Sequence, residues 1–177
     1  MTTSLVVTVI GADRPGIVRE MSDRAREFGA NWAESRMASL AGQFAGIVPL
    51  EVPEANAEPL AKALSMLDTS GLRVVVARSE ARQPLRGRRS VALELVGHDR
   101  PGIMRDFSSR LAEQGVSIDE LHTEIVSAAM SAERLFKVKA VLIVPDALAD
   151  DNLRNALEAL ANEMMVDIAL GDHAADA

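Results

Sequence analysis

A chain of 177 residues and 19.0 kDa suits one ordinary domain or two small ones of about 80 residues each, and 48% hydrophobic with 25% charged residues gives it a core to bury. The absence of cysteine excludes disulfides, thiolate metal sites, iron–sulfur clusters and a cysteine nucleophile. A net charge of −7 argues against a whole-surface grip on DNA or RNA, and 3% aromatics, with one Trp and no Tyr, argues against a base-stacking platform.

Met1 to Ser4 carries no basic residue, and the apolar run Leu5 to Ile10 is too short for a secretory signal. No stretch reaches the roughly 18 apolar residues of a membrane helix, so the chain reads as cytoplasmic with no membrane partner. Leu5 to Ile10 is apolar and β-branched and predicts a strand. Gly11 to Gly16 predicts a turn, with Pro15 as first helical residue because that position has no amide to satisfy. Ile17, Met21, Ala25 and Phe28 recur at helical spacing, and Gly29 ends that helix. Asn31 to Leu40 and Phe44 to Val52 predict two strands around a hairpin at Ala41-Gly42-Gln43, and Pro53 breaks the second. Leu60, Ala63, Leu64 and Leu67 form a second helical stripe, Gly71 closes it, and Leu72 to Ala77 is a last strand.

The pattern then begins again. Val9 to Ile17 recurs as Leu95 to Ile103 at an offset of 86, with 12 identities in the 30 positions from Leu5 to Glu34, and Asp13-Arg14-Pro15-Gly16-Ile17 unbroken among them. Val52-Pro53 matches Val144-Pro145 at offset 92, so six extra residues enter the second copy around Ser127 to Glu133. Leu60, Ala63, Leu64 and Leu67 match Leu153, Ala156, Leu157 and Leu160 at offset 93. Ile103, Phe107 and Leu111 are the second copy's first stripe, Gly115 ends it, and Phe136 to Val144 and Met165 to Leu170 are late strands. Each copy reads as two βαβ units with right-handed crossovers. The fold class is α+β: two tandem ferredoxin-like βαββαβ sandwiches, each a four-stranded antiparallel sheet with two helices on one face. Residues 3–79 and 90–171 are the two domains, 80–89 an Arg-rich linker and 172–177 a flexible tail. Arg78 to Arg89 sets Arg78, Arg82, Arg86, Arg88 and Arg89 against Glu80, and Pro84 and Gly87 argue against regular structure there.

The Asp-Arg-Pro-Gly turn places glycine and free helix N-terminal amides at one spot in each copy, which attracts a carboxylate. Asp13 and Asp99 could pair with an ammonium group, so the turn suits a small amino acid. The same residues also read as a plain helix start, with Asp as cap, Pro as first residue and Gly as turn former. No catalytic set emerges. His122 and Glu124 share a predicted strand face with Glu120, which suits a metal ion or, more simply, a solvated strand. Ser35, Ser39 and Ser108 have no His–Asp partners, and there is no P-loop or dinucleotide fingerprint. RNA binding is the competing class for a sandwich of this kind, but the first strands carry no aromatic.

Gly-x-Asp-Arg-Pro-Gly-Ile followed a helix later by Gly29-Ala30-Asn31 resembles the ACT domain. Two such copies, with Glu34 to Leu40 and Phe44, resemble the glycine cleavage system transcriptional repressor family over residues 3–79 and 90–171. The resemblance implies a non-enzymatic regulatory protein without cofactor or metal. It senses a small amino acid, glycine or serine, where two domains meet, and modulates a protein partner, a transcriptional activator. Ligand contacts carried over are Asp13, Arg14, Pro15, Gly16, Ile17 and Asn31 in the first copy. In the second they are His98, Asp99, Arg100, Pro101, Gly102, Ile103 and Ser117, with His98 in place of Ala12 and Ser117 in place of the Asn. A homodimer is expected, since open sheet edges need cover, with an intramolecular pair as the alternative. The competing reading is an interaction module that pairs through its sheets and binds nothing small.

Overall fold

The computed structural model describes residues 1–79, 87–127 and 133–172, in two units, Met1–Pro84 and Leu85–Ala177, each with its own core. The first unit runs β1 (Thr2–Ala12), α1 (Ile17–Glu27), β2 (Asn31–Trp32), β3 (Arg36–Leu40), β4 (Gln43–Pro53), α2 (Glu54–Ser65), a 3-10 segment (Met66–Ser70) and β5 (Leu72–Ser79). Period-two alternation in β1 buries Leu5, Val7 and Val9 on one face and turns Val6, Thr8 and Ile10 to the other. That strand pairs antiparallel with β4, Thr3 opposite Val52, and with β5, Thr8 opposite Val75. β2 and β3 both lie along the other side of β4, giving the order β2-β4-β1-β5. Ile17, Met21 and Ala25 of α1 and Ala57, Leu60 and Leu64 of α2 close over the buried face. Phe28 and Trp32 pack against the margin of this core.

The second unit runs β6 (Arg88–His98), α3 (Ile103–Glu113), β7 (Ser117–Ser127), β8 (Arg134–Pro145), α4 (Asp150–Met164) and β9 (Val166–Asp172), with sheet order β7-β8-β6-β9. Its pairings repeat the first unit's. Arg89 faces Val144 where Thr3 faces Val52, and Ser117 faces Ile143 where Asn31 faces Glu51. Val126 faces Leu135 where Leu40 faces Gln43, so the six extra residues lie between Val126 and Leu135, and 128–132 of them fall outside the described residues. Two ferredoxin-like sandwiches are therefore present, as the repeat predicts.

Several expectations need correction. Gly11 is not a turn residue, since β1 runs to Ala12, and its counterpart Gly97 likewise lies inside β6, which runs to His98. Glycine is required there because a Cβ on Gly97 would sit 2.2 Å from Val166 Cγ1 and one on Gly11 would sit 2.7 Å from the Gly71 carbonyl. Pro15 is not the first helical residue, since Gly16 is the N-cap of α1 and Pro15 precedes it in the turn. The strand expected over 31–40 is broken at 33–35. The hairpin turn is Ala41-Gly42, both at positive φ (51° and 77°) as a type I′ turn requires.

Arg78 belongs to β5, Arg88 and Arg89 to β6, and 80–86 lies outside the described residues. Arg78 pairs with Glu54 at 2.8 Å and Arg89 with Asp150 at 2.6 Å, so these charges belong to the sandwiches. Met165 is the left-handed C-cap of α4, not strand, and β9 runs on to Asp172, the first residue of the expected tail. Residues 173–177 lie outside the described residues.

The helix-free faces of the two sheets differ. Across the first run Ile47, Thr8 and Val75 in one ladder row, with Ile10 beside them, and the three aliphatic side chains are half exposed. The matching row in the second unit is Lys139, Glu94 and Ala169, with Lys139 Nζ 3.5 Å from Glu94 Oε1. All five aromatic side chains pack into or against the cores.

Candidate functional site

The turn after the first strand is built the same way in both units. The Asp13 amide donates to the Gly42 carbonyl at 2.9 Å and the Asp99 amide to the Arg134 carbonyl at 3.0 Å, which pins each turn to its hairpin. Gly16 (φ 95°) and Gly102 (φ 88°) then swing the chain into the helix. Their left-handed backbone calls for glycine, while a Cβ at either position would meet nothing within 4 Å. The surface above each glycine is therefore open.

Neither helix start is capped by a side chain. Asp13 and Asp99 stand at the turn without filling the cap role that the plain reading gave them. The Gly16 and Gly102 carbonyls accept from the Glu20 and Asp106 backbone amides at 2.9 and 3.0 Å, and the amides before these have no intrahelical acceptor. An anion placed there would meet N–H groups and the positive helix end.

The arginines face elsewhere. Arg14 grips Glu20 through two bonds, 2.6 and 2.9 Å, and reaches the Ser70 carbonyl at 3.5 Å. The Arg14 bond holds the Glu20 carboxyl below the usual carboxylate range, against its own desolvation and aided by the Arg14 charge and a Ser70 hydroxyl. The same bond keeps the Arg14 guanidinium more firmly protonated. Arg100 repeats the pairing with one bond to Asp106, 3.0 Å. Both arginines lock the turn onto the first helical turn. Ile17 and Ile103 are buried in the cores, so they could offer the turn only their amides, and the Ile103 amide already donates to the Arg100 carbonyl at 3.4 Å.

Asn31 is exposed, but it does not join its own turn. It lies opposite Glu51, which lies opposite Ser4 near the start of β1, whereas Asp13 follows the end of β1. Nine residues of strand put about 30 Å between them. Ser117 occupies the matching place beside Ile143, and its hydroxyl accepts from Arg88 at 3.4 Å. Pro15 and Pro101 sit within the turns, and the exposed His98 imidazole stands 4.0 Å from Glu133 at the second.

The sequence reading missed four partners: Glu20 and Asp106 for the arginines, Ser39 and Arg134 for the aspartates. The first pair left a signal, an acid six residues after the arginine in both copies, which an identity count passes over because Glu became Asp. Among the described residues no group of three His, Cys, Asp or Glu could hold a metal. Glu120, His122 and Glu124 line the exposed edge strand, with Lys139 and Lys137 directly opposite the last two. No helix among the described residues is long and apolar enough to cross a membrane.

A family profile described as the ACT domain matches residues 3–76 and again residues 90–170. The chain belongs to the ACT domain family. This tandem ACT chain is 28% identical over 164 residues to the glycine cleavage system transcriptional repressor of Escherichia coli (strain K12), covering 90% of the chain and 85% of the relative. The protein of the same name from Shigella flexneri matches to the same extent. A crystal structure of an unknown protein from Galdieria sulphuraria is 32% identical, with a TM-score of 0.86 over 98% of this chain and all of that one. Family and relatives support a regulatory role for the tandem ACT chain.

Proposed function

We propose that this tandem ACT protein is a non-enzymatic sensor of a small amino acid, glycine or serine, that signals occupancy to a transcriptional regulator. The observation that carries this reading is the pair of uncapped helix starts, each beside an exposed Asp and an open glycine. A carboxylate of the ligand takes the first-turn amides around Gly16 or Gly102, and its ammonium takes Asp13 or Asp99. The ligand must be short, because both poles of the turn lie within a few residues.

Asn31 reaches such a ligand only from a second sheet. The edge formed by β2 and β3 runs from Asn31 at one end to Leu40 beside Asp13 at the other. Two such edges paired antiparallel bring the Asn31 end of one alongside the turn of the other. Binding then favours the paired geometry, and the partner regulator reads that geometry.

The test is calorimetric titration with glycine, serine and a panel of other amino acids. Saturable binding that weakens on Asp13→Asn or Asn31→Ala, with unchanged secondary structure, supports the reading. No heat from any amino acid would leave the protein as a sheet-pairing interaction module. Gly16→Val is a poor test, since φ 95° would strain any side chain even where space is free.

A further inference from the structure

The two turns share their backbone but not their charge. In the first, Asp13 Oδ2 accepts a hydrogen bond from the Ser39 hydroxyl, a neutral donor that leaves the carboxylate charge uncompensated. In the second, Asp99 Oδ2 lies 3.2 Å from Arg134 Nη2. Arg134 occupies the position of Gly42: each supplies the carbonyl that receives the turn's Asp amide.

The difference follows from the hairpins. With a two-residue turn, position 42 is forced to φ 77°, where only glycine is comfortable and no side chain exists to approach Asp13. The six extra residues of the second copy relax that demand. Arg134 lies in β8 opposite Ser127, and its side chain reaches across to Asp99.

We infer that the first turn is the amino-acid site and that Arg134 closes the second by holding Asp99. This rests on the reading that these turns bind an amino acid. An ammonium arriving at Asp13 meets a carboxylate that has no cationic partner among the described residues. One arriving at Asp99 must displace a guanidinium tethered to the same chain, which competes at a high local concentration however weak the exposed pair is by itself. Affinity at the second turn falls tenfold or more, so the chain takes one ligand where the repeat suggests two.

The experiment is calorimetric titration of the full chain with glycine and with serine, comparing wild type, Asp13→Asn, Asp99→Asn and Arg134→Ala. The expected result is one site per chain, lost on Asp13→Asn, kept on Asp99→Asn, and joined by a second on Arg134→Ala. Arg134 is two-thirds exposed, so its truncation leaves the fold intact, which circular dichroism checks. Two equal sites in the wild type, an Arg134→Ala variant that gains none, or binding that needs Asp99 and spares Asp13 would overturn the inference and leave the sensor reading standing. Silence from wild type and Arg134→Ala alike would overturn both.

Discussion

Met165 caps α4 at φ 54°, where the first copy has Gly71 at φ 83°. The methionine is 82% exposed, so it earns no packing there, and left-handed backbone strains any residue with a Cβ. Met165→Gly should therefore stabilise the second unit by about 1 kcal/mol, read as a higher urea midpoint with an unchanged slope. Strand propensity placed Met165 in the last strand because period-two patterning cannot report a positive φ. Glu20 supplies a pH signature. Its folded value lies below its unfolded one, so its pairing with Arg14 stabilises fully above the unfolded value of about 4.3 and is lost as pH falls through the folded value. Glu20→Gln should lower the melting temperature at neutral pH. The gap to wild type should close on acidification, and a gap that stays constant down to the lowest pH would refute the assignment.

At the scale of elements, the glycine beside the ladder matters more than the glycine in the turn. Gly97, one residue before the end of β6, faces Val166, the first residue of β9. Gly97→Ala should cost about 1–3 kcal/mol, because a buried β9 side chain and its strand must move to admit one methyl group. Thermal unfolding would show it, and Gly171→Ala, with its nearest neighbour at 3.8 Å, is the control. The sequence announced that glycine recurs at 11 and 97 but not why, since a close approach between strands leaves no local mark. Stripes such as Ile17, Met21 and Ala25 were legible because burial repeats with the helix. The break at 33–35 was not, because Asn31 to Leu40 suits a strand throughout. The turn's aspartates and glycines were legible as types, but the partners Ser39 and Arg134 come from the hairpin and appear only in three dimensions.

Over the whole molecule, the repeat fixed the architecture, and its offsets of 86 and 92 survive as equivalent strand pairings. The two cores share no residue. Phe107, fully buried in the second, should lose about 3–5 kcal/mol on Phe107→Ala. Hydrogen exchange should then accelerate across residues 88–127 and 133–172 and hold steady across 2–79. Uniform acceleration would mean that the units unfold as one.

The lone tryptophan gives the two halves different visibility. Trp32 packs against the first core, next to Asn31, and the chain has no tyrosine. Tryptophan emission therefore watches the first sandwich alone, while far-ultraviolet dichroism watches both. A denaturation followed by the two signals together separates the halves without any label. The same indole, one residue from the proposed cross-sheet contact, is a built-in optical reporter of sheets coming together.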